Sequence, residues 1–167
     1  HELLDMLEKY DAHATFFMQG IHVSKYADDV ERMKEIGCEI GNHSYDHPQL
    51  TGEADGGASQ VAKTNELLKQ ACGQPATVLR PPYGAVNDQV KAAVGMPMIL
   101  WNIDTLDWKT KNADKTVQAV IGKVKDGDIV LMHELYTASG DAAVRIIPSL
   151  TEQFNSRCGF AVDTKVD

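Results

Sequence analysis

Apolar residues recur at helical spacing in the first ten positions, where Leu3, Leu4 and Leu7 share one face. A run of strand character, Ala14-Thr-Phe-Phe-Met18, follows and closes at Gly20. Tyr26, Val30, Met33 and Ile36 return to helical spacing, and Gly37 sits where a helix stop is expected. Residues 38–40 read as short and extended. Beyond them the pattern predicts a helix over 58–72 ending at Gly73, a strand at 77–79, a helix over 87–94 ending at Gly95 and a strand at 98–101. A helix over 114–124, a very apolar strand at 129–132, a last helix over 142–154 and a closing strand at 160–162 complete the series. Residues 52–59 read as an exposed loop. Helix and strand thus alternate, with β-branched and large apolar residues in the strands, which predicts α/β architecture with parallel strands. Polar clusters follow four successive predicted strands: Asn42 to His47, Arg80 to Gly84, Asp104 to Trp108, and His133 with Glu134. An open sheet gathers ligands at one switch point, whereas a barrel collects groups from the carboxyl ends of many strands. Four contributing strands favour the barrel.

Composition narrows the function. The 167 residues, 43% hydrophobic, suffice for one domain with a real core, spanning residues 1–167. No apolar run reaches the ~18 residues of a membrane span. The balance of 16 Lys and Arg against 24 Asp and Glu gives a net charge of −8. That argues against nucleic-acid binding driven by a basic field and suits a neutral substrate such as a sugar chain. Cys38, Cys72 and Cys158 form no Cys-x-x-Cys pair; they read as buried free thiols, or as one disulfide and one thiol. The chain begins at His1 with neither an initiator Met nor an apolar leader, so upstream sequence is expected.

Each polar cluster carries a chemical option. His43 and His47 come together only if the segment coils; in an extended strand they would stand ~13 Å apart. Pro48 disfavours helix at His47, so a single tight turn is the workable geometry, and neutral imidazoles so placed suit Zn²⁺ or a similar ion. Asp46, between them, is either a third ligand or a turn former. Arg80-Pro-Pro-Tyr-Gly84 has a largely predetermined shape, because two prolines fix φ and remove donors. It is either a rigid turn with a surface Arg80, or a loop whose Arg80 reaches a carboxylate while the Tyr83 N–H stabilises an oxyanion. Asp104-x-x-Asp107-Trp108 combines two carboxylates with an indole that either stacks on sugar or fills a core. His133, ending the most apolar strand, is either a satisfied core histidine or an acid oriented and kept protonated by a carboxylate such as Asp107.

Together these clusters resemble the polysaccharide deacetylase family, carbohydrate esterase family 4, also called the NodB homology domain. His43-Ser-Tyr-Asp-His47 is similar to the family's His-Ser/Thr-x-x-His motif, Arg80-Pro-Pro-Tyr83 to its third, Asp104-x-x-Asp-Trp108 to its fourth and Leu131-x-His133 to its fifth. Ala14-Thr-Phe-Phe17 also resembles the second strand of these enzymes. The resemblance implies a distorted parallel (β/α) barrel of about seven strands and metal-dependent removal of acetyl groups from carbohydrate. It implies Zn²⁺, or another divalent ion such as Co²⁺, on His43 and His47. It also implies that Arg80 steadies a catalytic-base Asp, that Tyr83 gives the oxyanion N–H, and that Asp107 pairs with the acid His133. Trp108, Leu131 and Pro82 would wall the substrate groove and the acetyl-methyl pocket.

One departure stands out. The family's first motif, Thr-Phe-Asp-Asp-Gly, supplies both the base and the metal-binding Asp on the strand before its first helix. Here residues 1–10 correspond to that helix, so the first strand and its two aspartates are expected upstream of residue 1. Asp28-Asp29 is the only adjacent Asp pair, and it opens the helix before Gly37. The stretch Ile103 to Asn112 looks most like bacterial peptidoglycan N-acetylglucosamine deacetylases, which implies an extracellular or wall-associated enzyme. Acetylxylan and chitin oligomers are the alternatives within the family. A catalytically inactive carbohydrate-binding relative and a generic metal-dependent amide hydrolase are the alternatives outside that chemistry.

Overall fold

A computed structural model describes residues 1–134, 136–154 and 159–164. In chain order the elements are α1 (Glu2–Lys9), β1 (His13–Met18), α2 (Gly20–Val23), α3 (Ala27–Glu35), β2 (Glu39–Asn42), α4 (Ala58–Cys72), α5 (Asp88–Val94), β3 (Ile103–Asp104), α6 (Asp107–Thr110), α7 (Ala113–Val120), β4 (Val130–His133), α8 (Thr137–Phe154) and β5 (Gly159–Thr164). Short 3₁₀ turns lie at Leu50–Gly52 and Pro82–Gly84. Among the described residues five strands form a sheet in the order β2-β1-β5-β4-β3. The β3–β4 and β4–β5 pairs are parallel, with Ile103 opposite Val130 and His133 opposite Asp163.

Local chemistry explains several element boundaries. Gly73 closes α4 at φ 80°, donating to the Lys69 carbonyl at 3.0 Å, a conformation that costs glycine no Cβ clash. Asn87 caps α5 by accepting from the Val90 N–H at 2.9 Å, and Asn112 caps α7 through Lys115 at 3.0 Å. Asp28 and Asp29 lie in the first turn of α3, where carboxylates suit the helix dipole.

The structure departs from the sequence pattern in four places. Residues 77–79 and 98–101 are not full strands: the alignment survives only as parallel bridges from Asn42 to Leu79 and from Leu79 to Met98. Pro75, Pro81, Pro82 and Pro97 bracket these segments and supply no N–H to lengthen a ladder. The expected helix over 114–124 ends at Val120, and Gly122 then turns the chain at φ 75°. The last helix begins at Thr137, five residues earlier than its apolar stripe predicts, and continues through Pro148. The loop over 52–59 is not wholly exposed. Gly56 and Gly57 are buried, and Asp55 accepts from the N–H groups of Gly57 and Ser59, both at 2.9 Å.

The chain divides into two compact units, residues 1–16, 35–39 and 101–167 in one and 17–34 and 40–100 in the other. The first buries Leu4 and Leu7 of α1, Leu131 of β4 and Ile146, Ile147 and Leu150 of α8. The second has a cluster of Leu50, Val61, Leu79 and Val90, with Val94, Met96 and Met98 packed against it. Cys38 and Cys72 are buried free thiols, and Cys158 lies outside the described residues. Burial pushes the Cys38 thiol up, so it is unreactive at neutral pH.

Close packing at β2 is specific. A Cβ at Gly41 would collide with the ring of Phe17, itself 0% exposed. Gly41→Ala is therefore expected to destabilise the protein by roughly 1–3 kcal/mol, a fall in Tm of about 3–10 °C for a chain of this size. An unchanged melting curve would contradict this packing.

Candidate active site

In the second unit, β2 ends at Asn42, whose side chain takes over from the ladder. Its Oδ1 accepts the Ser44 N–H at 2.9 Å, while Nδ2 donates to the Val61 carbonyl and to Asn65 Oδ1, both at 2.9 Å. This is an Asx turn. Ser44 adopts φ 65° and His47 φ 67°, and the His47 N–H donates to Ser44 Oγ at 3.0 Å. The segment coils, and the rings of His43 and His47 meet edge-on with centroids 4.8 Å apart. Gln60 clamps the outside of the turn. Its Oε1 accepts from the Tyr45 N–H at 2.8 Å, and its Nε2 donates to Asp46 Oδ1 at 2.8 Å. Asp46 is exposed and turned to Gln60, so of its two sequence options it acts as a turn former.

His43 is buried, and its Nδ1 lies 2.6 Å from the Arg80 carbonyl. A carbonyl only accepts, so Nδ1 carries the proton and Nε2 has the lone pair, the tautomer in which an imidazole can ligate a metal ion. A His43 ring held this way, with the His47 ring 4.8 Å from it, suits two ligand positions of a zinc-like site. Among the described residues no three His, Cys, Asp or Glu side chains gather to hold an ion.

Arg80 is 0% exposed, which rules out the surface ion pair that was one of its sequence options. Its N–H donates to the Asn42 carbonyl at 2.9 Å. The guanidinium donates to the carbonyls of Ile99 at 3.1 Å and Leu100 at 3.3 Å, and lies 4.3 Å from the centre of the Phe17 ring. The following turn is strained: Tyr83 sits at φ 60° without being glycine. Its N–H groups are few. Pro81 and Pro82 have none, and those of Gly84 and Ala85 are spent on the Pro81 and Pro82 carbonyls at 3.0 and 3.1 Å. The turn's own bonds therefore leave out the Tyr83 N–H. The Tyr83 ring packs on His47 with centroids 4.7 Å apart.

In the first unit, the Asp104 carboxylate accepts the Leu106 N–H at 2.9 Å, and Leu106 turns at φ 54° to start α6 with Asp107. The Asp107 side chain is only 1% exposed. Its Oδ1 accepts from His133 Nδ1 and from the Trp108 N–H, both at 2.8 Å. Its Oδ2 accepts from the His133 N–H at 2.8 Å and from Ser139 Oγ at 2.7 Å. Burial alone would push this carboxyl up. The hydrogen bond and charge of the His133 ring, the His133 backbone N–H and the Ser139 hydroxyl outweigh burial and hold it below the ordinary carboxylate range. His133 itself is 19% exposed. Leu131 and Pro82 are buried, so of the three expected groove residues Trp108, 45% exposed, is the one presenting a broad surface.

Several contributors were not legible beforehand. Ser139 stands apart from every motif and carries no signal. Phe17 reads as ordinary core until Arg80 is seen stacked on it. Asn42 had a signal, an Asx-type residue at a strand end.

Comparison with known proteins fits this geometry. A model of the family described as polysaccharide deacetylase matches residues 1–98. Peptidoglycan-N-acetylmuramic acid deacetylase PdaC of Bacillus subtilis is 39% identical over 154 residues, 92% of this chain and 33% of PdaC. The solved structure of PdaC superposes with a TM-score of 0.88 at 38% identity, covering 98% of this chain and 79% of that one. The chain belongs to the polysaccharide deacetylase family. It has the (β/α)-barrel fold of these deacetylases. Peptidoglycan-N-acetylglucosamine deacetylase PgdA of Listeria monocytogenes is 38% identical over 152 residues, 90% of this chain and 33% of PgdA. The family also includes a relative described as a pseudoenzyme, BA3943 of Bacillus anthracis, with a TM-score of 0.83 at 32% identity over 95% of this chain and 57% of that one. The chain spans about a third of the length of the curated relatives PdaC and PgdA.

The Asp107 cluster makes a pH prediction. A carboxyl held low in the folded state adds stability that is complete above its unfolded pKa of about 4 and is lost as pH falls through the folded value. Asp107→Asn is expected to cost roughly 2–4 kcal/mol at pH 7, with the gap to wild type narrowing below about pH 4. Urea melts at pH 7, 5, 4 and 3 measure it; a gap that stays constant would contradict the assignment.

Proposed function

We propose that this protein is a metal-dependent deacetylase of cell-wall polysaccharide, acting on N-acetylglucosamine residues of peptidoglycan, and that residues 1–167 belong to its catalytic domain. The observation that carries the reading is the buried Asp107 carboxylate holding the His133 ring and backbone together, in a chain of a deacetylase family. A core histidine needs one acceptor; this one is bound at two points by a single ionised group.

In this reading His43 and His47 hold Zn²⁺, or another divalent ion such as Co²⁺, together with a carboxylate that is not among the described residues. When bound, the ion lowers the pKa of water and polarises the acetyl carbonyl. The Tyr83 N–H donates to the carbonyl oxygen as it gains charge. Arg80 steadies the carboxylate that serves as base and, through its own carbonyl, the ring of His43. Asp107 fixes the Nδ1 side of His133, so Nε2 is the nitrogen that passes a proton to the leaving amine. Trp108 stacks on a sugar ring, and Leu131 and Pro82 are each assigned to substrate contact. That PdaC and PgdA are peptidoglycan deacetylases supports a wall-facing, extracellular enzyme. No helix among the described residues is long and apolar enough to cross a membrane.

A second reading, an inactive carbohydrate-binding relative, is favoured by one observation: the family includes the pseudoenzyme BA3943, which is 32% identical over 95% of this chain. Acetate release from peptidoglycan fragments, chitopentaose and acetylxylan by the full native chain with Zn²⁺ separates the readings. Release chiefly from peptidoglycan is expected, with N-acetylglucosamine as the sugar left deacetylated. A preference for xylan overturns the substrate, and no release from any of them supports the inactive relative. His133→Ala is expected to slow turnover by roughly 10²–10⁴-fold; a rate within about twofold of wild type would remove His133 from the mechanism.

A further inference from the structure

Gln19 follows β1 directly and is 2% exposed, yet its Nε2 has no hydrogen-bond partner among the described residues. A buried donor left unpaired is costly, so its retention points to an acceptor that arrives from elsewhere. The strand pairing says where. Side chains alternate along a strand, and laterally paired residues share a face. Thr15 Oγ1 donates to Glu39 Oε2 at 3.0 Å, and the Phe17 ring lies against Gly41. The next step along both strands is Gln19 and His43. The His43 N–H on the Met18 carbonyl at 2.9 Å carries the backbone pairing to that level, and just past it the Gly20 N–H meets the Ser44 carbonyl at 3.0 Å, one residue out of the regular register. The series Thr15–Phe17–Gln19 thus runs beside Glu39–Gly41–His43.

We propose that Gln19 is a further residue of the metal centre, its Nε2 donating to the oxygen that joins His43 and His47 around the ion. The proposal rests on the reading of those histidines as metal ligands. It adds a donor that none of the family-like motifs contains. The chemistry required is an oxygen acceptor, and two sources supply one: a ligating carboxylate, which commonly needs such an outer donor to hold its orientation, or the acetyl oxygen of the substrate. Neither imidazole can be the partner in this role, because the ligating nitrogens give their lone pairs to the ion.

The test uses the full native chain with Gln19→Met, which keeps the side chain's length and removes the donor, and Gln19→Leu as a second variant. Zn²⁺ affinity is measured by competition with a chromogenic chelator, and kcat and KM on an N-acetylglucosamine pentamer. If the partner is a ligating carboxylate, Zn²⁺ binding weakens by roughly 10–100-fold. If it is the acetyl oxygen, Zn²⁺ binding holds and kcat/KM falls by about tenfold or more. Zn²⁺ affinity and kcat/KM both within about twofold of wild type would overturn the proposal. Loss of the fold in both variants would overturn it too, because a donor whose partner belongs to the site is not what holds the strand. A wild-type protein that binds Zn²⁺ but releases no acetate defeats the deacetylase reading while leaving the affinity arm to decide Gln19.

Discussion

A guanidinium withdrawn from water is among the costliest groups to bury unless every direction around it is answered, and Arg80 is fully buried. Its side chain is met by the Ile99 and Leu100 carbonyls and the face of Phe17. Its backbone is committed as well, the N–H to Asn42 and the C=O to His43 Nδ1. One residue therefore ties the end of β2, the proline turn and the orientation of a candidate ligand into a single arrangement. The strained backbone at Ser44, His47 and Tyr83, each such conformation costing of order 1–3 kcal/mol, persists because the surroundings over-determine it.

The first unit solves a matching problem with the opposite charge. Asp107 is buried and remains ionised because it accepts from four donors, two of them on His133. In both units a buried ionic residue fixes the Nδ1 side of a histidine, Arg80 through its carbonyl and Asp107 through its carboxylate. The chemical consequence differs with the partner. A neutral carbonyl leaves His43 suited to a metal ion, whereas an anion leaves His133 suited to carrying a proton. A buried charge here specifies geometry more than it adds stability, since replacing such pairs by apolar residues is often neutral or stabilising.

Much of this was legible in the sequence, for identifiable reasons. The helix over 58–72 was bounded correctly because its glycine stop acts locally. The coil between His43 and His47 followed from a distance argument and from Pro48. The apolar content at 77–79 and 98–101 predicts strands where only short bridges at Leu79 and Met98 form, because it does not report the donors that flanking prolines remove. Burial of Arg80 was invisible, since a charged residue in a proline-rich turn reads as surface until Phe17 is placed beneath it. The early start of α8 escapes the sequence pattern for a related reason. Thr137 to Asp141 lack an apolar stripe, and Ser139 turns inward for a hydrogen bond to Asp107, an interaction that periodicity does not encode.

If His43, oriented by Arg80, and His47 hold the metal ion of a deacetylase, activity requires both the ion and the His43 ring. The most direct measurement strips the full native chain with a chelator, titrates Zn²⁺ back and follows acetate release from an N-acetylglucosamine oligomer, in parallel for wild type and His43→Ala. The stripped wild type is expected to be inactive and to recover with one equivalent of Zn²⁺, whereas His43→Ala is expected not to recover at the same concentration. Acetate release that is indifferent to the chelator, or a His43→Ala variant that recovers as wild type does, would contradict it.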